Sequence, residues 1–318
     1  MTTYIARRFI TVIIVLLIVT VMVFLVIRLL PGDPVLLYLS QGDLATLTQS
    51  EIDAVRHQFG LDKPTYQQYG LWIWDIFHGD WGKSLFYGED VGKLIKERLP
   101  ISLNISLIAF FLNIPLSIGA GLICALKRGK AADNIITSGA IFGISVPIFW
   151  LGILMIYFFG LNMHWLPLHG YTSPFEDLGM NIKQLILPTI CLMIGGLAGA
   201  CRQTRSSVLE VIRQDYIRTA WAKGLRERTI VIRHVLKNAL IPVLTLKGMA
   251  LGHILGGNVL IETVFNIPGI GRLAVDATFA QDYAVVQAMV LIAAIMVVLS
   301  NLLVDISYGW LDPRIRYG

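Results

Sequence analysis

Long stretches of this chain carry no charged residue, and this feature limits the folds that are open to it. Residues 9–27 contain no Asp, Glu, Lys or Arg and consist mostly of valine, isoleucine and leucine. About 20 apolar residues are enough to cross the hydrocarbon core of a bilayer. Because lipid offers the backbone no hydrogen-bond partners, a spanning segment must be a helix or part of a closed barrel. Barrel strands alternate apolar and polar residues, whereas these runs are continuously apolar, so the sequence predicts transmembrane helices.

Six runs of this kind predict six membrane-spanning helices. Only 15% of the residues are charged, against about 25% in an ordinary soluble domain. The first run is interpreted as a retained span rather than a signal peptide, because Arg28 and Pro31 follow it where a small-residue cleavage site would be needed. The runs are residues 9–27, 101–126, 134 to about 160, 184–201, 238–261, which Lys247 interrupts, and 284–304.

These runs divide the chain into three parts. Residues 1–30 hold the N-terminal transmembrane helix, residues 31–100 form an insert, and residues 101–318 hold a core of five helices. The core includes a basic segment, residues 202–237, between the fourth and fifth runs. Within the insert, residues 71–77 are amphipathic and contain two tryptophans, which is typical of a segment at the membrane interface.

Lysine and arginine are distributed unevenly between the two sides of the predicted bundle. The two short loops on the side opposite the N terminus contain only Lys183 and Arg272. The positive-inside rule therefore predicts a multi-pass protein of the cytoplasmic membrane, with both termini in the cytoplasm and the insert outside. This pattern also accounts for the net charge of +5, so nucleic-acid binding is not predicted. Basic residues on the side of the N terminus are Arg7, Arg8, Lys127, Arg128, Lys130, those of residues 202–237, Arg314 and Arg316.

Enzymatic motifs are incomplete in this sequence. Residues 79–84 resemble a P-loop, but the first glycine of that motif would fall on Phe77. The sequence contains neither HExxH nor GxSxG, and its six histidines are scattered. We therefore predict no enzyme activity, no cofactor and no metal site in this chain, so a partner must hydrolyse any ATP that its function requires.

Residues 202–237 contain a stretch that fits a short docking helix. Asp215 is a suitable N-cap and Gly224 a suitable C-terminal stop, which predicts a helix between them. Ala220 and Gly224 are four residues apart, so they are expected to share a face that another protein can approach closely. The composition alone also fits an ordinary basic loop that anchors the topology.

A family resemblance adds to this interpretation. Residues 218–224, Arg218-Thr219-Ala220-Trp221-Ala222-Lys223-Gly224, resemble the EAA loop of binding-protein-dependent ABC importer permeases, with the general form EAA-x-x-x-G. Arg218 replaces the usual glutamate and Thr219 the first alanine. Over nearly its whole length the chain resembles the oligopeptide, dipeptide and nickel branch of that family. The resemblance to this branch rests on the motifs Pro31-Gly32-Asp33-Pro34, Gly60-Leu61-Asp62-Lys63-Pro64, Gly79-Asp80-Trp81-Gly82-Lys83-Ser84, Arg98-Leu99-Pro100, Ile261-Glu262-Thr263-Val264-Phe265, Pro268-Gly269-Ile270-Gly271 and Leu311-Asp312-Pro313-Arg314-Ile315-Arg316-Tyr317.

The resemblance implies an all-α transmembrane protein with the six-helix type I ABC importer permease fold and an extracytoplasmic insert after helix 1. It implies a pore-forming subunit of an ATP-driven importer that works with a second homologous permease subunit, two ATPase subunits and an extracytoplasmic solute-binding protein. Peptides are the first choice of cargo, and nickel or another metal chelate is the alternative. The residues then expected to dock the ATPase are Arg218, Thr219, Ala220, Lys223 and Gly224.

Polar residues inside the spans are candidates for contact with cargo, since an ionisable group in lipid is costly. Lys247, His253 and Asn258 in the fifth run are the pore candidates. Lys247 alternatively snorkels to the surface or pairs with a second subunit, and His253 fits an interhelical hydrogen bond better than a metal site. A secondary transporter is the alternative class of protein. Such transporters carry carboxylates near the midplane, and no carboxylate lies well inside the predicted spans.

Overall fold

The computed structural model describes residues 2–29, 57, 62–84, 86–255 and 258–311, and helices dominate this part of the chain. The helices are α1 (Thr2–Leu29), α2 (Thr65–Phe77), α3 (Val91–Leu126), α4 (Ala131–Ser145), α5 (Ile148–Met155), α6 (Leu178–Val211), α7 (Asp215–Ala222), α8 (Lys237–Leu255), α9 (Val259–Val264), α10 (Ile270–Phe279) and α11 (Tyr283–Leu311). A π-helical stretch, Ile156–Asn162, extends α5, and a second one, Ile230–Leu236, precedes α8. The single turn Glu227–Thr229 comes just before this second stretch.

The predicted all-α transmembrane architecture is confirmed. Five helical segments in the described part of the chain are long and apolar enough to cross a membrane. Helix α4 and the segment Ile148–Asn162, which is α5 with its π-helical extension, make a sixth crossing if they are counted as one span. The chain bends by 102° between these two halves. The break falls at Val146 and Pro147, because proline lacks an amide hydrogen and disfavours helical geometry in the residue before it.

The centre of the bundle is the pair α3 and α6, and α4, α5 and α8 pack around it. The two central helices approach closely at Gly121, where a Cβ atom would lie 2.6 Å from the carbonyl oxygen of Cys201. Helix α11 packs on α8, and α1 packs on α11 at the periphery. One face of α1 is therefore left exposed, and its large apolar side chains are suited to contact with lipid.

The fifth predicted run is interrupted near its end. A single helix was expected over residues 238–261, but α8 ends at Leu255 and a separate helix, α9, begins at Val259. After α9 the chain turns at Pro268 and Gly269, and α10 begins at Ile270. Helices α9 and α10 form a hairpin that enters the bundle rather than a surface loop. Apolar side chains of the hairpin pack against α3, α5 and α6; the buried ones are Ile261, Phe265 and Ile267.

The described part of the insert contacts the bundle at two places. Helix α2 contains the predicted amphipathic segment, and Tyr69 and Trp72 place their rings 5.3 and 5.8 Å from that of Phe24 in α1. Ser84 donates a buried hydrogen bond of 2.5 Å to Asp282, just before α11. Helix α3 begins at Val91, within the range 31–100 predicted for the insert. The extracytoplasmic location of the insert and the three predicted domain ranges stay predictions, and residues 31–56 lie outside the described part.

Candidate functional site

Helix α7 lies at the end of the bundle where α3 and α6 terminate, which we call the α7 end. Ile217 and Ala220 of α7 are buried and lie three residues apart, so they form one face of this short helix. That face packs on the last turns of α3 and α6 and on the segment that leads into α8. We call this cluster the apolar block; its buried members are Ala125, Val208, Ile217, Ala220, Ile230, Val235 and Ala239.

The ends of α7 follow from its sequence. The helix begins at Asp215, with Gln214 rather than the predicted Asp215 in the N-cap position. It ends at Ala222, and Gly224 then adopts a φ of +72°, a left-handed conformation that favours glycine. The amide of Gly224 donates to the carbonyl of Trp221 at 2.9 Å, which closes the last turn. The sequence-based prediction of a helix stopped by Gly224 therefore agrees with the structure.

The two small residues of the motif do not form one open face, so that expectation is wrong in its geometry. Ala220 is only 6% exposed because it faces the apolar block of its own chain. Gly224 is exposed, but it lies beyond the end of the helix. The surface that α7 offers to another protein is instead formed by Tyr216, Arg218, Thr219, Trp221, Ala222 and Lys223, all of them exposed.

We expect Gly224→Val to destabilise the chain more than Gly224→Asn. A left-handed conformation costs most L-residues about 1–2 kcal/mol, and asparagine tolerates it better than a β-branched residue does. A Cβ atom at this position would meet no other atom within 4 Å, so the difference reports backbone strain and not a steric clash. The melting temperatures of the two purified variants measure the effect. Equal melting temperatures would show that the positive φ of this turn does not limit stability.

The pore candidates make contacts within their own chain. Lys247 is buried, and its Nζ donates to Oδ1 of Asn113 in α3. Asn113 in turn donates to the carbonyl of Met193 in α6 at 2.6 Å. Asn258 donates to Oγ of Ser106 in α3 at 3.2 Å. His253 lies in α8, and the placement of its side chain is outside the described part. These contacts connect α8 and α9 to the central pair of helices, and a role in the pore stays a proposal.

A buried carboxylate, missed in the sequence analysis, lies in the hairpin of α9 and α10. Glu262 is only 2% exposed. Ser102 of α3 donates to its Oε1 at 2.6 Å, and the amide of Arg272 donates to its Oε2 at 2.9 Å. Ser102 also accepts from the amide of Ile270 at 2.8 Å. These hydrogen bonds explain how a carboxylate is accommodated among helices, since each of its oxygens has a donor.

Comparison with known proteins identifies the family. A family profile described as "Binding-protein-dependent transport system inner membrane component" matches residues 94–317. A second profile, for the N-terminal part of such membrane components, matches residues 1–108. The chain belongs to this family. The resemblance seen in the sequence motifs is therefore confirmed, and the chain is a membrane component, or permease, of a transport system.

Curated relatives of this permease match it over most of its length. A Brucella abortus protein, provisionally named a peptide transport system permease protein, is 41% identical over 318 residues, which is all of both chains. The oligopeptide transport system permease protein AppB of Bacillus subtilis is 37% identical over 320 residues, again 100% of both. The di/tripeptide transport system permease protein DppB of Pseudomonas aeruginosa is 40% identical over 319 residues, 94% of each chain.

Solved structures support the fold of the permease. Two structures of inward-facing conformations of the MetNI methionine ABC transporter superpose with TM-scores of 0.56 and 0.55 at 17% identity. Each match covers 69% of this chain and 96% of the other. At this identity the match concerns the fold alone, and it confirms the predicted type I ABC importer permease fold.

Proposed function

We propose that this permease is a pore-forming subunit of an ATP-driven importer that moves di- or oligopeptides across the cytoplasmic membrane. The observation that carries the proposal is the match, over 94–100% of the chain, to relatives named for peptide transport. Nickel or another metal chelate was the alternative cargo, and the names of these relatives favour peptides over it.

The proposed assembly contains a second homologous permease subunit, two ATPase subunits and an extracytoplasmic solute-binding protein. The exposed face of α7 is suited to dock an ATPase, because it combines aromatic side chains with the basic residues Arg218 and Lys223. Aromatic residues and arginine are enriched where proteins bind one another. Because its other face is packed into the apolar block, α7 moves with the ends of α3 and α6 when a partner displaces it.

The proposed orientation places α7 and both termini in the cytoplasm, where ATP is available. The excess of lysine and arginine on that side supports it. In a cysteine-free background, a single cysteine at position 45 should react with a membrane-impermeant maleimide in intact cells. A cysteine at position 228 should react only after the membrane is opened. The reverse pattern of labelling would contradict the orientation.

A secondary transporter is the second candidate function, and the buried Glu262 is the observation that favours it. Transporters driven by ion gradients use carboxylates inside the bundle. However, both carboxylate oxygens of Glu262 are engaged, by the hydroxyl of Ser102 and the amide of Arg272. These contacts are those of a structural group, and they leave the ATP-driven importer as the better-supported function.

Uptake by cells tests the cargo. A strain that lacks only this permease should lose uptake of radiolabelled dialanine or trialanine by more than about tenfold, and the wild-type gene should restore it. Uptake of nickel with histidine as chelator should stay unchanged. If the strain instead lost nickel uptake and kept normal peptide uptake, the cargo would be a metal chelate and not a peptide.

A further inference from the structure

An ion pair between the buried Asp133 and the half-buried Arg205 joins α4 and α6 near the α7 end. The carboxylate of Asp133 accepts hydrogen bonds from Nε and Nη2 of Arg205, both at 2.8 Å. It also accepts one from the amide of Gly129 at 3.0 Å and one from the hydroxyl of Thr137 at 3.3 Å. Asp133 is buried, and its two oxygens are fully used by these donors. A bidentate pair of this kind fixes the relative orientation of the two side chains and hence of their helices.

The two residues of this pair lie on helices with different neighbours: α6 packs against α7, and α4 leads to the break at Pro147. Arg205 lies on α6 one turn before Val208, and Val208 packs with Ile217 of α7 in the apolar block. Asp133 lies in the first turn of α4, which leads to the break at Pro147. The pair therefore connects the helix end that carries α7 to the first half of the bent span.

The break between α4 and α5 has room for a change of angle. A half-open pocket of about 310 Å³ lies beside it. This pocket leaves space on one side of the break into which the two halves can tilt. Val146, with a ψ of 125°, already departs from helical geometry. The pocket is lined by residues that include Gly143, Val146, Pro147, Leu151, Cys191 and Ile194.

We propose that Asp133 and Arg205 are positioning residues that transmit a displacement of α7 to the break, so that the angle between α4 and α5 follows the ATPase cycle. This inference rests on the proposed docking of an ATPase to α7. Without the pair, α7 keeps its apolar contacts and the ATPase still turns over, but α4 no longer follows α6. The bend then stays at one angle while ATP is hydrolysed.

Spin labels on either side of the break test this inference in the complete importer complex. Ile135 on α4 and Ile153 on α5 are both exposed, so cysteines at these positions in a chain free of native cysteines can be labelled. In the wild-type complex, trapping with ATP and vanadate should shift the distance between the labels. Arg205→Ala and Asp133→Asn should lose that shift and keep ATP hydrolysis within about twofold of wild type.

Two further variants separate positioning from stability. Arg205→Ala leaves a buried charge unpaired, which destabilises a protein, whereas Asp133→Asn with Arg205→Gln removes both charges and should still lose the shift. Arg202→Ala removes an exposed arginine from α6, and this variant should keep the shift in the distance between the labels.

Two results would overturn the inference. One is a shift as large as that of the wild type in the neutral double variant, and the other is no shift in a wild-type complex that hydrolyses ATP. A parallel loss of ATP hydrolysis and of the shift in all pair variants would also overturn it, since that result shows a purely structural pair. The measurement needs no peptide, so a failure of peptide uptake bears on the proposed cargo alone.

Discussion

Replacement of Ala220 by glutamate is expected to abolish transport by displacing α7. Ala220 is buried in the apolar block, where no described side chain of the block offers a partner to a carboxylate. Burying an unpaired charge costs several kcal/mol, so we expect α7 to lose its packing on the apolar block and to expose the glutamate to water. Because about 1.4 kcal/mol is a factor of ten in an equilibrium, we expect ATP-dependent uptake to fall by more than about tenfold.

The same substitution two residues later is the matched control for stability. Ala222 is exposed on α7, so Ala222→Glu adds an identical side chain without burying it. Unfolding can be followed with a thiol-reactive dye, since Cys124, Cys191 and Cys201 are all buried in the folded chain. Ala220→Glu should lower the melting temperature, and Ala222→Glu should change stability by no more than about 0.5 kcal/mol. If Ala220→Glu had the stability and the uptake of the wild type, the packing of Ala220 in the apolar block would not hold α7 in place.

Loss of the Glu262 carboxylate is expected to destabilise the hairpin of α9 and α10. In Glu262→Ala, the hydroxyl of Ser102 and the amide of Arg272 lose their acceptor. Each buried donor left unsatisfied costs about 1–3 kcal/mol, and the cavity adds to that cost. The dye assay should therefore show a large fall in melting temperature, and uptake should fall with it.

The comparison with glutamine tests the hydrogen-bond account of Glu262. Glu262→Gln keeps the shape and one acceptor oxygen, so we expect a smaller loss of stability than with alanine. Glu176→Ala removes an exposed carboxylate from a loop and should leave the melting temperature unchanged. A Glu262→Ala chain that melts like the wild type, or better than Glu262→Gln, would contradict the account.

The sequence was sufficient to predict the elements that depend on local composition. Apolar runs located the spans, since crossing a bilayer requires a continuous apolar segment. The stop of α7 at Gly224 was predictable because glycine readily adopts the left-handed conformation found there. The break at Pro147 was not predicted, although the proline is visible in the sequence. The apolar run continues through it, and composition does not report a change of direction.

Contacts between distant residues could not be predicted in the same way. Asp133 and Arg205 are 72 residues apart, and Ser102 and Glu262 are 160 apart, so no local pattern joins them. The orientation of α7 was also missed, because the small side chain of Ala220 is compatible with burial in its own chain or in a partner. Only the packing of α7 on α3 and α6 decides between these two surroundings.

ATP-driven accumulation in proteoliposomes tests the central claim most directly. The complete complex is reconstituted with the solute-binding protein and radiolabelled dialanine on one side of the membrane, and ATP on the side of α7. Dialanine should accumulate above its equilibrium concentration only when ATP is present, and Ala220→Glu in this chain should abolish that accumulation. Accumulation driven by a proton gradient without ATP would contradict the claim and identify a secondary transporter instead.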